Sequence, residues 1–479
     1  MTLREKLMEA LDFGDRTSKT ESLEHGKKLR SQVPRKIHGE WEPAEDRPDP
    51  VDLLRSQGES RVKELLSLRY ERMSASAFTF YRGGALVMAQ DLSKTPTTGI
   101  RVQLCGDAHI SNFGLFSSPE RRTVFDINDF DETLPGPWEW DVKRLAASVE
   151  ICGRDNGFPK KERKAAVLAC AQGYREAMTE FAGMGNLDVW YDHLDIDSSA
   201  QQLTKTASKP TKKASKKAVK KAKRKNSMRA IRKLTEVVDG ELRIKSDPPI
   251  VVPLRDLVAY SGNDLLAENF DEAALARLMR AVLAKYCMSL PEDKRHLIHA
   301  YEAVDMAHKV VGVGSVGLRA WIIVMRGADE NDPLVLQVKE AQESALERFL
   351  GRSIYGQHGH RVVAGQRAMQ ATSDMLLGWC RLPDVNGRIK HYYVRQLWDG
   401  KGSIDLSRLD PNQLAIYAKA CGKTLAHAHA RTGNRFAIAS YLGTSDTFDR
   451  AIASFARAYA KQNETDYKRF MEAYNSGKL

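Results

Sequence analysis

An acidic segment, residues 104–141, constrains this chain of 479 residues more than any other stretch. Apolar residues precede two loops, of which the first carries Asp107 and Asn112 and the second carries Asp129. The pattern predicts two strands whose loops bring these side chains together. Each residue alone is an ordinary turn former. Their combined spacing instead indicates a site for a hard cation such as Mg²⁺, which takes oxygen ligands and retains water or substrate phosphates.

The first loop, Gly106-Asp107-x-His109-x-x-Asn112, resembles the catalytic loop of aminoglycoside-phosphotransferase-like kinases, in which an Asp precedes a metal-binding Asn by five residues. The triplet Asp129-Phe130-Asp131 is similar to the metal-binding Asp-Phe-Gly of kinases, with Asp in place of Gly. These resemblances imply a two-lobed, kinase-like phosphotransferase.

A wider resemblance, to the bacterial DUF2252 family, extends over nearly the whole chain except a lysine-rich tract. It is carried by the sequences Phe-Tyr-Arg-Gly at 80–83, Asn-Asp-Phe-Asp-Glu-Thr at 128–133 and Trp-Asp-Val-Lys-Arg-Leu at 140–145. The family brings no settled function, so this resemblance supports a fold more than a reaction.

The kinase-like resemblance implies a role for each acidic residue. Asp107 would accept the proton of an acceptor hydroxyl, while Asn112 and Asp129 would hold Mg²⁺ on the β- and γ-phosphates of ATP. His109 would orient the loop, contact substrate, or be a buried structural histidine. Asp131 would hold a second cation, change the reaction to nucleotidyl transfer, or cap its turn.

Asp141 stands where phosphotransferase-like kinases place an Asp that hydrogen-bonds to the catalytic-loop backbone. On local grounds it is equally well an acid at the start of a helix. Arg82, on a predicted helix, fits either a phosphate ligand or a structural ion pair.

A second candidate nucleotide element lies far downstream, around Gly312, Gly314 and Gly317. The residues after the last glycine form a strand pattern, which predicts a hairpin and not the strand-to-helix turn of a dinucleotide fold. In kinases such a hairpin covers the nucleotide phosphates. The next predicted strand carries Lys339, which matches the kinase lysine on the α- and β-phosphates. Its expected partner is a glutamate on the following helix, Glu343 or Glu347.

The glycine hairpin thus follows the catalytic loop, whereas in kinases it precedes it. We therefore expect an α+β, two-lobed, protein-kinase-like fold that is circularly permuted and has extra helices. Permutation is tolerable because contacts define a fold and termini usually lie at the surface. The expected divisions are an N-terminal arm and helices (1–100), the catalytic part of the helical lobe (101–203), a disordered linker (204–227), a helical segment (228–307), a β-rich nucleotide-binding lobe (308–404) and C-terminal helices (405–479). Further strands are expected within 362–398, with Asn386-Gly387 as a hairpin turn.

The net charge of +12 resides largely in one tract. Residues 205–225 hold ten lysines and one arginine without an acid, so removing them leaves +1. Such a run self-repels and cannot form a core. It is either a dispensable solvated insertion or a weak contact for nucleic acid or anionic surfaces.

The remaining composition, 42% hydrophobic and 28% charged residues, is that of a globular chain. The six cysteines are scattered without a paired motif, which indicates reduced thiols in a cytoplasmic protein. We expect neither a signal peptide nor a membrane span.

Three alternatives stay open beside the kinase-like phosphotransferase. A nucleotide-binding pseudokinase or sensor would share the fold, and a nucleotidyl transferase would share the site. A metallophosphoesterase would use Gly106-Asp107-Ala108-His109 with histidines from 358–360 and 427–429, although its other motifs are missing. The sequence does not name the acceptor substrate.

Overall fold

The computed structural model of this protein describes residues 17–195, 227–238, 241–257, 272–310, 312–329, 331–383, 387–397, 402 and 404–479. The lysine-rich tract at 205–225 lies outside these residues, as does Asn386 of the expected hairpin turn.

The helices are α1 (Lys19–Gln32), α2 (Pro50–Gly58), α3 (Leu66–Ser74), α4 (Ala77–Gly83), α5 (Ala85–Leu92), α6 (Trp138–Asp155), α7 (Lys160–Gly183), α8 (Asn186–Tyr191), α9 (Ser227–Leu234), α10 (Leu254–Leu257), α11 (Glu272–Cys287), α12 (Glu292–Ile298), α13 (Glu347–Leu350), α14 (His358–Met369), α15 (Pro411–Thr432), α16 (Arg435–Leu442) and α17 (Thr447–Asn475). The strands are β1 (Arg101–Leu104), β2 (Phe113–Ser117), β3 (Thr123–Ile127), β4 (Leu134–Pro137), β5 (Leu194–Asp195), β6 (Thr235–Val238), β7 (Glu241–Ile244), β8 (Val251–Pro253), β9 (Glu302–Lys309), β10 (Ala320–Arg326), β11 (Pro333–Glu340), β12 (Gly378–Pro383) and β13 (Ile389–Gln396).

The largest sheet is antiparallel and has six strands in the order β12-β13-β11-β10-β9-β8. Strand β10 lies near its centre and is buried on both faces. Trp321 and Ile323 pack towards α11, whereas Ile322 and Val324 pack towards α9. Burial on both faces explains why this strand is apolar at each position from Ala320 to Met325 and does not alternate.

The other half of the molecule is a helical body in which α7 and α15 pack at unusually short range. A Cβ added to Gly422 of α15 would overlap the carbonyl oxygen of Cys170 on α7, and one added to Gly173 would meet the backbone of Lys419. Reciprocal glycines therefore set the distance between these two helices. The body also contains α6, with Trp138 stacked on Tyr174 at 5.6 Å between ring centroids.

The N-terminal helices connect the two halves. Leu54, Tyr70 and Phe80 pack with Phe470 of α17, in a cluster that Val313 of the β9–β10 connection joins at its edge. A second cluster joins Val62 and Leu65 to Val316 in that same connection. The N-terminal segment, residues 50–92, thus touches both the C-terminal helix and the glycine-rich turn.

The structure contains helices and strands in the expected α+β mixture, with two differences from the sequence predictions. Residues 228–307 were predicted helical, yet they contribute β6 to β9, because Val251 and Val252 and the 302–309 run pair at the edge of the main sheet. Strands were expected within 362–398, yet its first part belongs to α14 (His358–Met369), because the buried side chains of Val362, Gln366 and Met369 follow helical spacing.

All six cysteines are buried and free, as the sequence indicated. Within the described ranges, no helix is both long and apolar enough to cross a bilayer.

The contact between α7 and α15 generates a stability prediction. Replacing Gly422→Ala forces two helix backbones apart, and overpacking of this kind costs about 1–3 kcal/mol. We expect a clearly lower thermal midpoint, measured by circular dichroism. Gly183→Ala is the matched control, because a Cβ at the end of α7 meets no atom within 4 Å. Equal midpoints for the two variants would contradict this account of the helix contact.

Candidate functional site

A cavity of about 540 Å³ lies where the acidic segment, the glycine-rich turn and the N-terminal segment meet. Its wall includes five of the residues singled out in the acidic segment, namely Asp107, His109, Asn112, Asp129 and Asp131. Gly312 and Gly314 form part of the opposite wall. Residues separated by about two hundred positions in sequence therefore share one cavity of the size that small-molecule sites usually have.

The first acidic loop is held by hydrogen bonds to its backbone. The Asp141 carboxylate accepts from the amides of Cys105 at 2.8 Å and Gly106 at 3.1 Å, which is the loop-holding role and not that of a helix cap. The side chain of Asn112 donates from Nδ2 to the carbonyl oxygen of Asp107 at 2.8 Å. That bond leaves the Asn112 Oδ1 atom free to accept a further ligand.

Asp107 is oriented by Arg144, which the sequence analysis did not single out. Nε and Nη2 of Arg144 both donate to Oδ1 of Asp107, at 2.9 and 2.7 Å. The guanidinium also lies over the ring of Tyr81, 4.0 Å from its centroid, and donates to the Tyr81 carbonyl. Since Arg144 uses only Oδ1, the other carboxylate oxygen, Oδ2, is left for a reactant.

His109 is buried beside this carboxylate, with 3.7 Å between its Nε2 and Oδ2 of Asp107. Burial, together with the positive charges of Arg82 and Arg144, holds the pKa of His109 well below its usual range. The imidazole is therefore neutral at physiological pH, and its Nδ1 atom has no hydrogen-bond partner in the described part of the chain.

The second acidic loop carries a buried ion pair. The ammonium of Lys339 on β11 donates to Oδ2 of Asp131, while the Tyr393 hydroxyl donates to Oδ1 at 2.8 Å. Burial opposes both charges, but the pairing outweighs it, so the pKa of Lys339 is raised and that of Asp131 is lowered. For Asp129 the balance is reversed. Burial and the negative Asp131 raise its pKa.

The lysine's partner was predicted incorrectly. Glu347 lies 3.6 Å from Arg361 of α14, and its carboxylate accepts from the backbone amides of Ser344 and Ser353. Glu347 is thus engaged elsewhere, and Asp131 fills the position expected for Glu343 or Glu347. The same contact argues against Asp131 as a metal ligand, because both of its oxygens already accept hydrogen bonds from Lys339, Tyr393 and Ser315.

The glycine-rich turn joins β9 to β10, which pair as the expected hairpin. Gly312 and Gly317 have φ angles of 70° and 88°, in the region that favours glycine. Gly317 does not line the cavity. It packs on Arg61, and its carbonyl accepts a hydrogen bond from the amide of Val62 at 2.8 Å. Of the three glycines, Gly312 and Gly314 therefore face the cavity.

The metal-binding prediction concerns Asp129 and Asn112, which both line the cavity. Among the described residues no group of three or more His, Cys, Asp or Glu side chains is placed to hold a metal ion. The donors that remain are the carboxylate of Asp129 and the Oδ1 atom of Asn112. This pair fits Mg²⁺, which needs few protein ligands when substrate phosphates supply others.

The histidines that a metallophosphoesterase would need lie elsewhere. His427 and His429 are buried in α15, where they contact the Val189 carbonyl and the Tyr174 hydroxyl. His360 stacks on Trp379 with 4.0 Å between ring centroids. His358 alone of these lines the cavity.

Comparison with known proteins finds a family model described as "Uncharacterized protein conserved in bacteria (DUF2252)", which matches residues 61–473. That range contains both acidic loops, the glycine hairpin and Lys339. No curated protein and no solved structure matches the chain.

The ion pair between Lys339 and Asp131 generates a second prediction. Asp131→Asn or Lys339→Met alone leaves a buried charge unpaired, which costs about 3–5 kcal/mol of unfolding free energy. The double variant should lose less than the sum, with a coupling of about 1–3 kcal/mol in urea denaturation. The exposed pair Asp52–Arg55 is the control, and breaking it should change little. Additive losses at 131 and 339 would mean that the two charges do not stabilise each other.

Proposed function

The chain belongs to the DUF2252 family, and we propose that it is a magnesium-dependent phosphotransferase that moves the γ-phosphoryl group of ATP to a hydroxyl acceptor. The observation that carries this proposal is the convergence of Asp107, Asn112 and Asp129 with the glycine-rich turn in one cavity, whose lining residue Asp131 is paired with the lysine of β11. These are the parts that phosphoryl transfer requires, because its catalysis is mostly positioning and charge stabilisation.

The order of elements in the sheet supports a kinase-like nucleotide lobe. A glycine hairpin, β9–β10, is followed by the lysine strand β11, then by the short helix α13 and by α14, and then by β12 and β13, of which β13 pairs with β11. In protein kinases the same succession begins with the glycine-rich loop and continues with the lysine strand and a helix. The catalytic loops precede this succession here, which is the proposed circular permutation.

In the proposed reaction Asp107 receives the acceptor hydroxyl at Oδ2, since Arg144 holds Oδ1. The carboxylate thereby aligns the hydroxyl oxygen with the phosphorus and takes up its proton as the new bond forms. Neutral His109, next to that oxygen, neither competes for the proton nor adds charge.

The phosphates would be positioned from three sides. Asn112 Oδ1 and Asp129 would hold Mg²⁺, which when bound neutralises charge on the phosphate oxygens. Backbone amides around Gly312 and Gly314 would face the same oxygens. Lys339 does not itself line the cavity, and would contribute its charge from behind Asp131, with which it stays paired.

The nucleotidyl-transfer alternative has lost its main support. It depended on Asp131 as an additional acid beside the metal, and that carboxylate is instead neutralised by Lys339. The pseudokinase alternative predicts nucleotide binding without transfer, so a binding experiment and a transfer experiment are both required.

Binding is tested by calorimetry with Mg-ATP. Asp129→Asn removes a charged metal ligand with little change of shape, and we expect at least a tenfold loss of affinity and no remaining dependence on Mg²⁺. Asp126→Asn is the control, because Asp126 is a buried carboxylate on the same segment that does not line the cavity. Wild type without affinity for millimolar Mg-ATP would overturn the proposed function.

Transfer is tested with Asp107→Asn. This variant should bind Mg-ATP like wild type, because Asp107 is assigned to the acceptor and not to the nucleotide. Its transfer or hydrolysis of γ-labelled ATP should fall by about 10²–10⁴-fold, the usual contribution of a positioned proton acceptor. A wild-type protein that binds Mg-ATP and never releases or transfers label would be a pseudokinase.

A further inference from the structure

We propose that Arg82, supplied by the N-terminal segment, binds the terminal phosphate of the nucleotide and stabilises the charge of the phosphoryl group in transfer. This inference rests on the proposed function and adds to it a residue from outside both kinase-like lobes. The inference implies that the protein binds a nucleoside triphosphate with higher affinity than a nucleoside diphosphate.

The position of Arg82 is the first argument. It lies at the end of α4 and lines the cavity together with Asp107 and Asp129. Its positive charge acts on both of these carboxylates and also on His109. Its carbonyl oxygen lies against Gly314, where an added Cβ would be only 3.3 Å away. Arg82 therefore sits between the assigned acceptor site, the assigned metal site and the glycine-rich turn.

The guanidinium of Arg82 lacks an ion-pair partner in the part of the chain that the structure describes. Among the described residues no carboxylate lies within ion-pair distance of Arg82, and its buried Nε atom makes no hydrogen bond. Arg144, beside it, is fully engaged by Asp107 and Tyr81. Burial lowers the pKa of Arg82, and the more distant Asp107 and Asp129 only oppose that effect. A largely buried guanidinium without a partner is costly unless an anion completes it.

The chemistry of the group fits a terminal phosphate. A guanidinium presents a planar fork of N–H donors that matches two phosphate oxygens. Since Asp107 and Asp129 are assigned to the hydroxyl and the cation, Arg82 is the group in this part of the wall left to meet the phosphate. Arginines that stabilise the transferring phosphoryl group contribute about 10³–10⁵-fold to turnover in phosphotransferases.

The segment that carries Arg82 is hydrogen-bonded to the glycine-rich turn. The Val62 amide donates to the Gly317 carbonyl, Arg61 donates to the Val316 carbonyl at 2.5 Å, and Arg72 donates to the Gly312 carbonyl at 2.6 Å. The Tyr81 hydroxyl donates to the Arg144 carbonyl on α6. Arg82 is thus fixed relative to both the turn and the acidic loops, as a phosphate ligand has to be.

The experiment compares Mg-ATP and Mg-ADP binding in wild type, Arg82→Gln and Arg61→Gln by calorimetry. Arg82→Gln should lose at least tenfold in affinity for ATP while its affinity for ADP stays within about twofold. Arg61→Gln is the matched control, since Arg61 is also a cavity-lining arginine of this segment whose buried Nε has no hydrogen bond among the described residues, but its Nη1 atom donates to the Val316 carbonyl. Arg61→Gln should lower the affinity for ATP and the affinity for ADP by the same factor.

Stability without nucleotide provides an independent readout. Because no described carboxylate pairs with Arg82, Arg82→Gln should melt no lower than wild type in the absence of nucleotide. The increase in melting temperature caused by Mg-ATP should fall in this variant to the increase caused by Mg-ADP. A structural ion pair would give the opposite result, a lower midpoint with the ATP effect intact. Arg82→Lys, which retains the charge but not the fork, should keep part of the preference for ATP.

The outcomes separate the two proposals. If wild type binds neither nucleotide, the proposed function fails and this inference fails with it. If wild type binds both, and Arg82→Gln either binds ATP as wild type does or loses ATP and ADP equally, Arg82 is not the phosphate ligand and the proposed function stands.

Discussion

The cavity depends on the buried ion pair between Lys339 and Asp131. This pair joins two parts of the chain that are 208 residues apart. It attaches the central strand β11 to the loop that carries Asp129. Tyr393 on β13 and Ser315 in the glycine-rich turn donate to the same carboxylate, so three elements of the sheet converge on one side chain of the acidic segment. A charge pair in such a dry position is expensive to form and more expensive to break. It therefore fixes how the sheet and the acidic loops are placed.

The N-terminal segment also holds the cavity together. Its backbone and arginines bond to three carbonyls of the glycine-rich turn, while its apolar side chains pack on α17. A glycine-rich turn has little intrinsic rigidity because its residues have no side chains to pack. Here the missing rigidity is supplied from outside the hairpin by helices α2 to α5. The cavity consequently has three walls, and the third is the source of Arg82.

The residues that the sequence brought forward as candidates are those that have local signals. The spacing of Asp107, Asn112 and Asp129 after apolar strands, and Lys339 on an apolar strand, depend only on neighbours in the chain. The partner of Lys339 was missed because Glu347 follows at a plausible distance, whereas Asp131 is near only in three dimensions. Arg82 was left undecided for the same reason, since its lack of a partner is a property of the folded cavity. Helix α14 was missed because its apolar residues, Val362 and Val363, are typical of strands.

The origin of the lysine's partner changes how the site can respond to movement. In protein kinases the partner belongs to a helix, and displacing that helix separates the pair. In this protein the partner is two residues from Asp129 on the same loop, so the lysine and the proposed metal ligand are linked through one short piece of backbone. The helix that the proposed function places in this role, α14, carries Arg361, which donates to the carbonyls of Asp131 and Thr133 in the loop. A shift of α14 would therefore move the whole loop, and with it the carboxylates of Asp129 and Asp131. It would not simply separate Lys339 from its partner.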